Sequence, residues 1–205
     1  RSSEAASGAP LAASLERYLS YYAGAAQTWE WQAALKARRV AGDEALAAEF
    51  LGALRRQTPA RFSDRAALAA EVRSMRARLA AAAKTPSWAE ADFKRGAGGL
   101  TDVDFIVQFL QLAHAGRLLA GYGGAERAAD TGREAGAGNE AQGAENAAAA
   151  RREPFPTDTA EALERLADAG ILPPEAAAQL REDHDFLRSL QRRQRLFFET
   201  SRDFF

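Results

Sequence analysis

Apolar residues along this 205-residue chain recur every three or four positions, the spacing of a single buried helical face. Leu11, Leu15, Tyr18, Leu19 and Tyr22 form one such stripe, and Trp29, Gln32, Ala33 and Lys36 continue it. The pattern predicts a first helical stretch from Pro10 to Arg39, with a kink or break at Gly24. Gly42-Asp43 reads as a stop and a new N-cap. A second helix then runs from Glu44 to Gln57 on Leu46, Phe50 and Leu54, until Thr58-Pro59 breaks it. Ser63 or Asp64 caps a third, Arg65 to Lys84, carrying Leu68, Val72, Met75 and Leu79 and ended by Thr85-Pro86. A loop, Ser87 to Gly99, holds Trp88 and Phe93 and closes on Gly96, Gly98 and Gly99; an apolar helix, Asp102 to Leu119, follows. Residues Gly123 to Glu153 contain no Val, Ile, Leu or aromatic residue, too little apolar surface to offset the entropy of ordering them. Thr159 to Leu166 is a short amphipathic helix with Gly170 as its C-terminal stop, and Pro173-Pro174 opens a last helix, Glu175 to Ser201. The expectation is an all-α helical bundle with a long flexible insertion: 1–122 the first helical part, 123–153 the insertion, 154–205 the C-terminal helical part.

Composition narrows the chemistry. Lys plus Arg is 27 and Asp plus Glu 28, a net charge of −1, which argues against a nucleic-acid binder. With no cysteine and two histidines, His114 and His184, there is no thiolate metal site or cysteine nucleophile, and no metal centre is expected. Mean hydropathy is −0.36 and no apolar run is long enough to span a membrane, so no membrane partner and a cytoplasmic setting are expected. The first residue is Arg, which suggests a processed product or a piece of a longer chain. No hydrolase triad, Walker loop or dinucleotide fingerprint occurs.

Two segments concentrate polar residues. In Asp92 to Phe105, glycines and Lys94-Arg95 precede a helix N-terminus, an arrangement that can cradle a phosphate; Asp102 and Asp104 are carboxylates that can hold Mg²⁺. Against both stands a structural reading, in which Thr101-x-x-Asp104 is a capping box and Asp102 complements the helix dipole. Carboxylates two apart on a helix also point about 200° apart. In Thr28 to Arg39, Gln32 stands over Thr28 and Lys36 over Gln32. Lys36, Arg38 and Arg39 can line a phosphate-bearing cleft; the structural alternative puts both tryptophans in the core and Glu30 in an ion pair. Arg188, Arg192, Arg193 and Arg195 read as a solvated face, His184 as a surface residue and His114 as a packing residue.

In this order, these segments resemble the bacterial bifunctional glutamine synthetase adenylyltransferase/adenylyl-removing enzymes. Trp29-Glu30-Trp31-Gln32-Ala33, Lys36-Ala37-Arg38 and Val40-Ala41-Gly42-Asp43 follow one family segment. Lys94 through Gln108 follow a second, and the likeness resumes from Ala162-Leu163 to Arg188. Ala34 stands where Leu is usual, Arg39 and Ala97 where Pro is usual, and Asp104 where Glu is usual. The resemblance implies the helical domain that follows a nucleotidyltransferase domain and supports its cleft and its protein substrate, glutamine synthetase. This piece alone is expected to be inactive, because the family's Gly-Ser and Asp-x-Asp, which bind ATP and Mg²⁺, have no match here. Lys36, Arg38, Lys94 and Arg95 are the expected phosphate or interdomain contacts, with Glu30, Gln32, Asp102 and Asp104 ordering that surface. The alternative is a non-catalytic helical module binding a PII-type regulatory protein.

Overall fold

The computed structural model describes residues 12–82, 92–121 and 154–198, and among them it contains helices and no β-strand. The stretch expected as one helix from Pro10 to Arg39 is two short ones, α1 (Leu15–Gly24) and α2 (Thr28–Ala34). The division has a local cause. At Gly24 the ladder stops, the amides of Ala25 and Ala26 both turning back to the Tyr21 carbonyl. Gln27 then starts α2 with a capping box closed by Glu30.

Asp43 caps α3 (Glu44–Arg61), its carboxylate accepting from the Leu46 amide at 2.8 Å. This helix does not end at Thr58-Pro59 but passes through them. Pro59 lies in the final turn, where a missing amide costs one ladder bond, and the Thr58 hydroxyl donates to the Leu54 carbonyl at 2.9 Å. Asp64 caps α4 (Arg65–Ala82). The apolar helix expected from Asp102 to Leu119 begins earlier, as α5 (Leu100–Ala113), and breaks at His114 before α6 (115–121). At the break, Arg65 Nε donates to the Ala113 carbonyl at 2.9 Å, taking an acceptor the helix no longer uses. After Phe155, α7 (Thr159–Asp168) is capped by Asp158, and it is stopped by Gly170 at φ +60°, the stop its sequence predicts. The last helix is α8 (Pro174–Phe198). The insertion expected at 123–153 lies outside the described residues.

Helix α5 is the hub: it packs on α2, α3, α4, α7 and α8. Trp31 is only 2% exposed and meets Tyr22 and Phe62 edge-on, at 5.2 and 5.6 Å between ring centroids. Leu54, Leu68, Val72, Val103, Val107 and Leu112 continue this core, and Phe155, Leu163 and Leu166 join it from beyond the insertion. The segment before α7 is fastened by Gln111, whose buried amide donates to the Pro156 carbonyl at 3.3 Å. Among the described residues no helix is long and apolar enough to cross a membrane.

Candidate functional site

The two polar segments fold into separate constructions on either side of the first turns of α5. The first is the loop 92–99. Its amides are consumed internally: Lys94 and Arg95 donate to Asp92 Oδ1 at 3.0 and 2.7 Å, and Gly96 donates to the Asp92 carbonyl at 2.7 Å. Gly98 donates to Asp102 Oδ2 at 2.8 Å, while Leu100 and Thr101 donate to the carbonyls of Phe93 and Lys94 at 3.0 and 2.9 Å. A backbone phosphate cradle needs such donors pointing outward, so that reading loses its amides. The glycines have a packing role. A Cβ at Gly96 would sit 2.3 Å from the Asp92 oxygen, one at Gly99 2.7 Å from the Phe93 oxygen, and Gly98 holds φ +76°.

Arg76 of α4 clamps this loop. Its Nε and Nη2 engage both oxygens of Asp102, and Nη2 also donates to the carbonyls of Arg95 and Gly96 at 2.8 and 3.1 Å. Burial pushes the Asp102 carboxyl up, but the Arg76 hydrogen bond, the Gly98 amide and the Arg76 charge outweigh it and hold the group below its ordinary value. The capping box expected at Thr101-x-x-Asp104 does not form: α5 starts two residues sooner, with Gly99 as its N-cap. That places Asp102 in the third helical position, from which it reaches back to Gly98, and leaves Asp104 to serve elsewhere.

Asp104 belongs to the second construction. Lys36 Nζ donates to Thr159 Oγ1 at 2.9 Å, the Thr159 hydroxyl donates to Asp104 Oδ1 at 2.7 Å, and Lys36 and Asp104 form an ion pair at 3.6 Å. Three chain regions, the end of α2, α5 and the start of α7, meet in this triad. Beside it a cleft of about 410 Å³ is lined by Arg38, Arg39, Arg55, Glu44, Phe155 and Glu161. Arg38 is exposed, whereas Arg39 is engaged by Glu44 at 3.1 Å.

Glu30 lies at the other end of α2. It accepts from the Tyr21 hydroxyl at 2.8 and 2.7 Å and from the Gln27 amide at 3.0 Å, so it orders the α1–α2 junction through hydrogen bonds, where the structural alternative foresaw an ion pair. The tryptophans differ as well: Trp31 is core, while Trp29 is 37% exposed with its indole N–H on Gln27. Gln32 is 3% exposed and has no side-chain hydrogen-bond partner among the described residues. His184, expected at the surface, is 8% exposed, on the inner side of α8. Arg188, Arg192 and Arg193 are exposed, as a solvated face requires.

Three participants escaped the sequence pattern. Arg76 carried a usable signal: it falls four residues after Val72 and eight after Leu68, on a line of burial, where a charge demands a partner. Thr159 carried none, because its partners lie 123 and 55 positions away, and nothing in the helical pattern singled out Tyr21. Among the described residues no group of three His, Cys, Asp or Glu side chains can hold a metal. Asp102 and Asp104 face different cations, so the carboxylates here do not fit Mg²⁺ with ATP.

Residues 66–203 match the family model described as GlnD PII-uridylyltransferase. The chain belongs to that family. Residues 4–53 match a second model, glutamate-ammonia ligase adenylyltransferase. The chain is 37% identical over 186 residues, 90% of its length, to the bifunctional glutamine synthetase adenylyltransferase/adenylyl-removing enzyme of Streptomyces coelicolor, and 35% identical over 92% of its length to that of Streptomyces avermitilis. A Xanthomonas campestris enzyme of the same name is 44% identical over 48% of the chain. The chain spans about 15% of the length of the Streptomyces relatives, so it matches one region of such an enzyme. No solved structure matches it. The resemblance read from the Trp29 and Lys94 segments is thus borne out.

Proposed function

We propose that this helical segment serves a nucleotidyltransferase that moves AMP between ATP and a tyrosine of glutamine synthetase, or removes it with phosphate, in cytoplasmic nitrogen regulation. The similarity to the Streptomyces coelicolor enzyme over 90% of the chain carries the reading. In it, ATP and Mg²⁺ are held by the transferase domain of the longer polypeptide. This segment supplies a rigid wall with two basic edges: Lys36 and Arg38 on one side of α5, Lys94 and Arg95 on the other. The interlocked hydrogen bonds fix the backbone that carries Lys94 and Arg95, and the triad fixes Lys36, which favours orienting a phosphate or a partner surface.

The test is a chimera in which this chain replaces the matching segment of the Streptomyces coelicolor enzyme, assayed on glutamine synthetase with ATP and, separately, with phosphate. Lys36→Ala, Arg38→Ala, Lys94→Ala and Arg95→Ala should each lower kcat/KM about tenfold, equivalent to ~1.4 kcal/mol. Unchanged rates in all four would remove these residues from the function. A second reading, a module for a PII-type protein, draws on the description of the family matched by residues 66–203. PII binding that survives while AMP transfer is absent would favour it.

A further inference from the structure

A groove of about 610 Å³ opens between α1 and α3 and is floored by the end of α2. Leu15, Tyr18, Tyr22, Ala37, Leu46 and Phe50 line it. Its aromatic wall is ordered: Tyr18 stacks on Tyr22 at 6.0 Å and meets Phe50 edge-on at 5.7 Å. Yet Tyr18 is 49% exposed and Leu46 53%, a large apolar area left in water. Among the described residues Asp43 is the one charged lining residue, and its carboxylate caps α3. Apart from the hydroxyls of Tyr18 and Tyr22, the described lining of the groove is mainly apolar, a surface that suits an apolar helix.

All the groove's lining residues fall between Ala13 and Phe50, inside the stretch matched by the adenylyltransferase model, while the rest of the fold, from residue 66, matches the other model. One segment is therefore transferase by sequence and part of the helical body by packing, since α1 rests on α3 and Trp31 sits in the shared core. In the Streptomyces relatives the matched region is about 15% of a longer polypeptide. We propose that this groove seats an apolar helix of the nucleotidyltransferase polypeptide to which the segment is joined in those relatives. The inference rests on the function proposed above and names the surface that holds the two parts together, away from the basic edges. A second copy of this chain competes for the role, because α8 exposes Phe186 and Leu196 as apolar projections.

A benzophenone amino acid at position 46 of the chimera tests it. Illumination should join position 46 to the transferase part of the same polypeptide, while the same probe at the exposed position 196 should not. In the 205-residue chain alone, probe 46 should give no intermolecular product. Cross-links from position 46 to a second copy in either protein, or no cross-link in the chimera, would overturn the proposal. Leu46→Asp should speed proteolytic separation of the two parts about tenfold in the chimera and leave the melting of the 205-residue chain unchanged; equal effects in both would also overturn it. AMP-transfer assays on the same chimera keep the two ideas apart. Absent transfer with an intact cross-link faults the proposed activity, and intact transfer without the cross-link faults the groove.

Discussion

Asp102 and Asp104 stand two residues apart on one helix and do opposite things. The first closes a local structure: with Arg76 it locks an eight-residue loop in which nearly every donor and acceptor has an internal partner. The second reaches across the chain, to Thr159 of α7 and Lys36 beyond α2. Its ion pair is longer, at 3.6 Å, and both side chains keep contact with water. Burial and saturation make the Asp102 side a piece of architecture. Partial exposure makes the Asp104 side a surface whose cation can serve a second partner. Substitutions on the two sides should therefore separate stability from function.

The largest effect should come from Gly96→Ala. The new Cβ would lie 2.3 Å from a main-chain oxygen, which must move and take the Asp92 turn with it. We expect a loss of ~3 kcal/mol, the upper range for overpacking, read as a fall in urea midpoint with unchanged slope. A variant as stable as the parent would show that the loop is loose and that the contrast drawn here is wrong. Arg76→Ala comes next. It removes the guanidinium from Asp102, which keeps only the Gly98 amide, and from the carbonyls of Arg95 and Gly96, and should cost ~2 kcal/mol by the same measurement. Hydrogen exchange at Gly98, whose amide depends on Asp102, should accelerate at the same time.

On the other side, Thr159→Val keeps the shape of the side chain and removes the hydroxyl that links Lys36 to Asp104. Stability should drop by only ~1 kcal/mol, because both charged ends can turn to water. In the chimera, AMP transfer should fall more than that loss implies, since Lys36 loses its hydrogen bond and keeps only the longer ion pair to Asp104. Proportionate changes would make the triad structural and erase the difference between the two carboxylates.

The contrast also explains what could be read from the sequence. Helical class and the α7 stop at Gly170 follow from local patterns and were legible; the α4 cap was narrowed to Ser63 or Asp64, and it is Asp64. Gly24 was marked correctly as a possible break, yet the new helix start needed Gln27, a less usual cap, together with Glu30. Pro59 misled because the helix carries it only two residues before its end, so a single ladder bond is lost and little helix remains to be broken. The glycine-rich loop looked like a phosphate cradle because glycines serve both purposes. Which one holds is decided by where the amides point, and that depends on Asp92 and Arg76. The Lys36–Thr159–Asp104 triad was half legible: Lys36 and Asp104 were marked separately, and the hydroxyl that joins them lies on the far side of a long low-complexity stretch.

The smallest effect concerns pH, and it distinguishes two windows. Burial, then the charges of Arg65 and Arg117, hold His114 below its ordinary value at the α5–α6 break. The folded state thus favours neutral imidazole, while the unfolded chain takes up a proton near pH 6.5. The resulting stability is present above about pH 6.5 and is lost as pH falls through the lower folded value. Asp102 is also depressed, so its contribution is present above about pH 4 and lost as pH falls through its own folded value. Acid should therefore lower the melting temperature in two steps, the upper from His114 and the lower from Asp102. His114→Gln should flatten the curve below about pH 6.5 and leave the lower step in place. Arg76→Gln should do the reverse, because without the guanidinium the Asp102 carboxyl returns toward its ordinary range. If His114→Gln leaves the upper step unchanged, the charges of Arg65 and Arg117 are screened at the break and His114 does not carry that step.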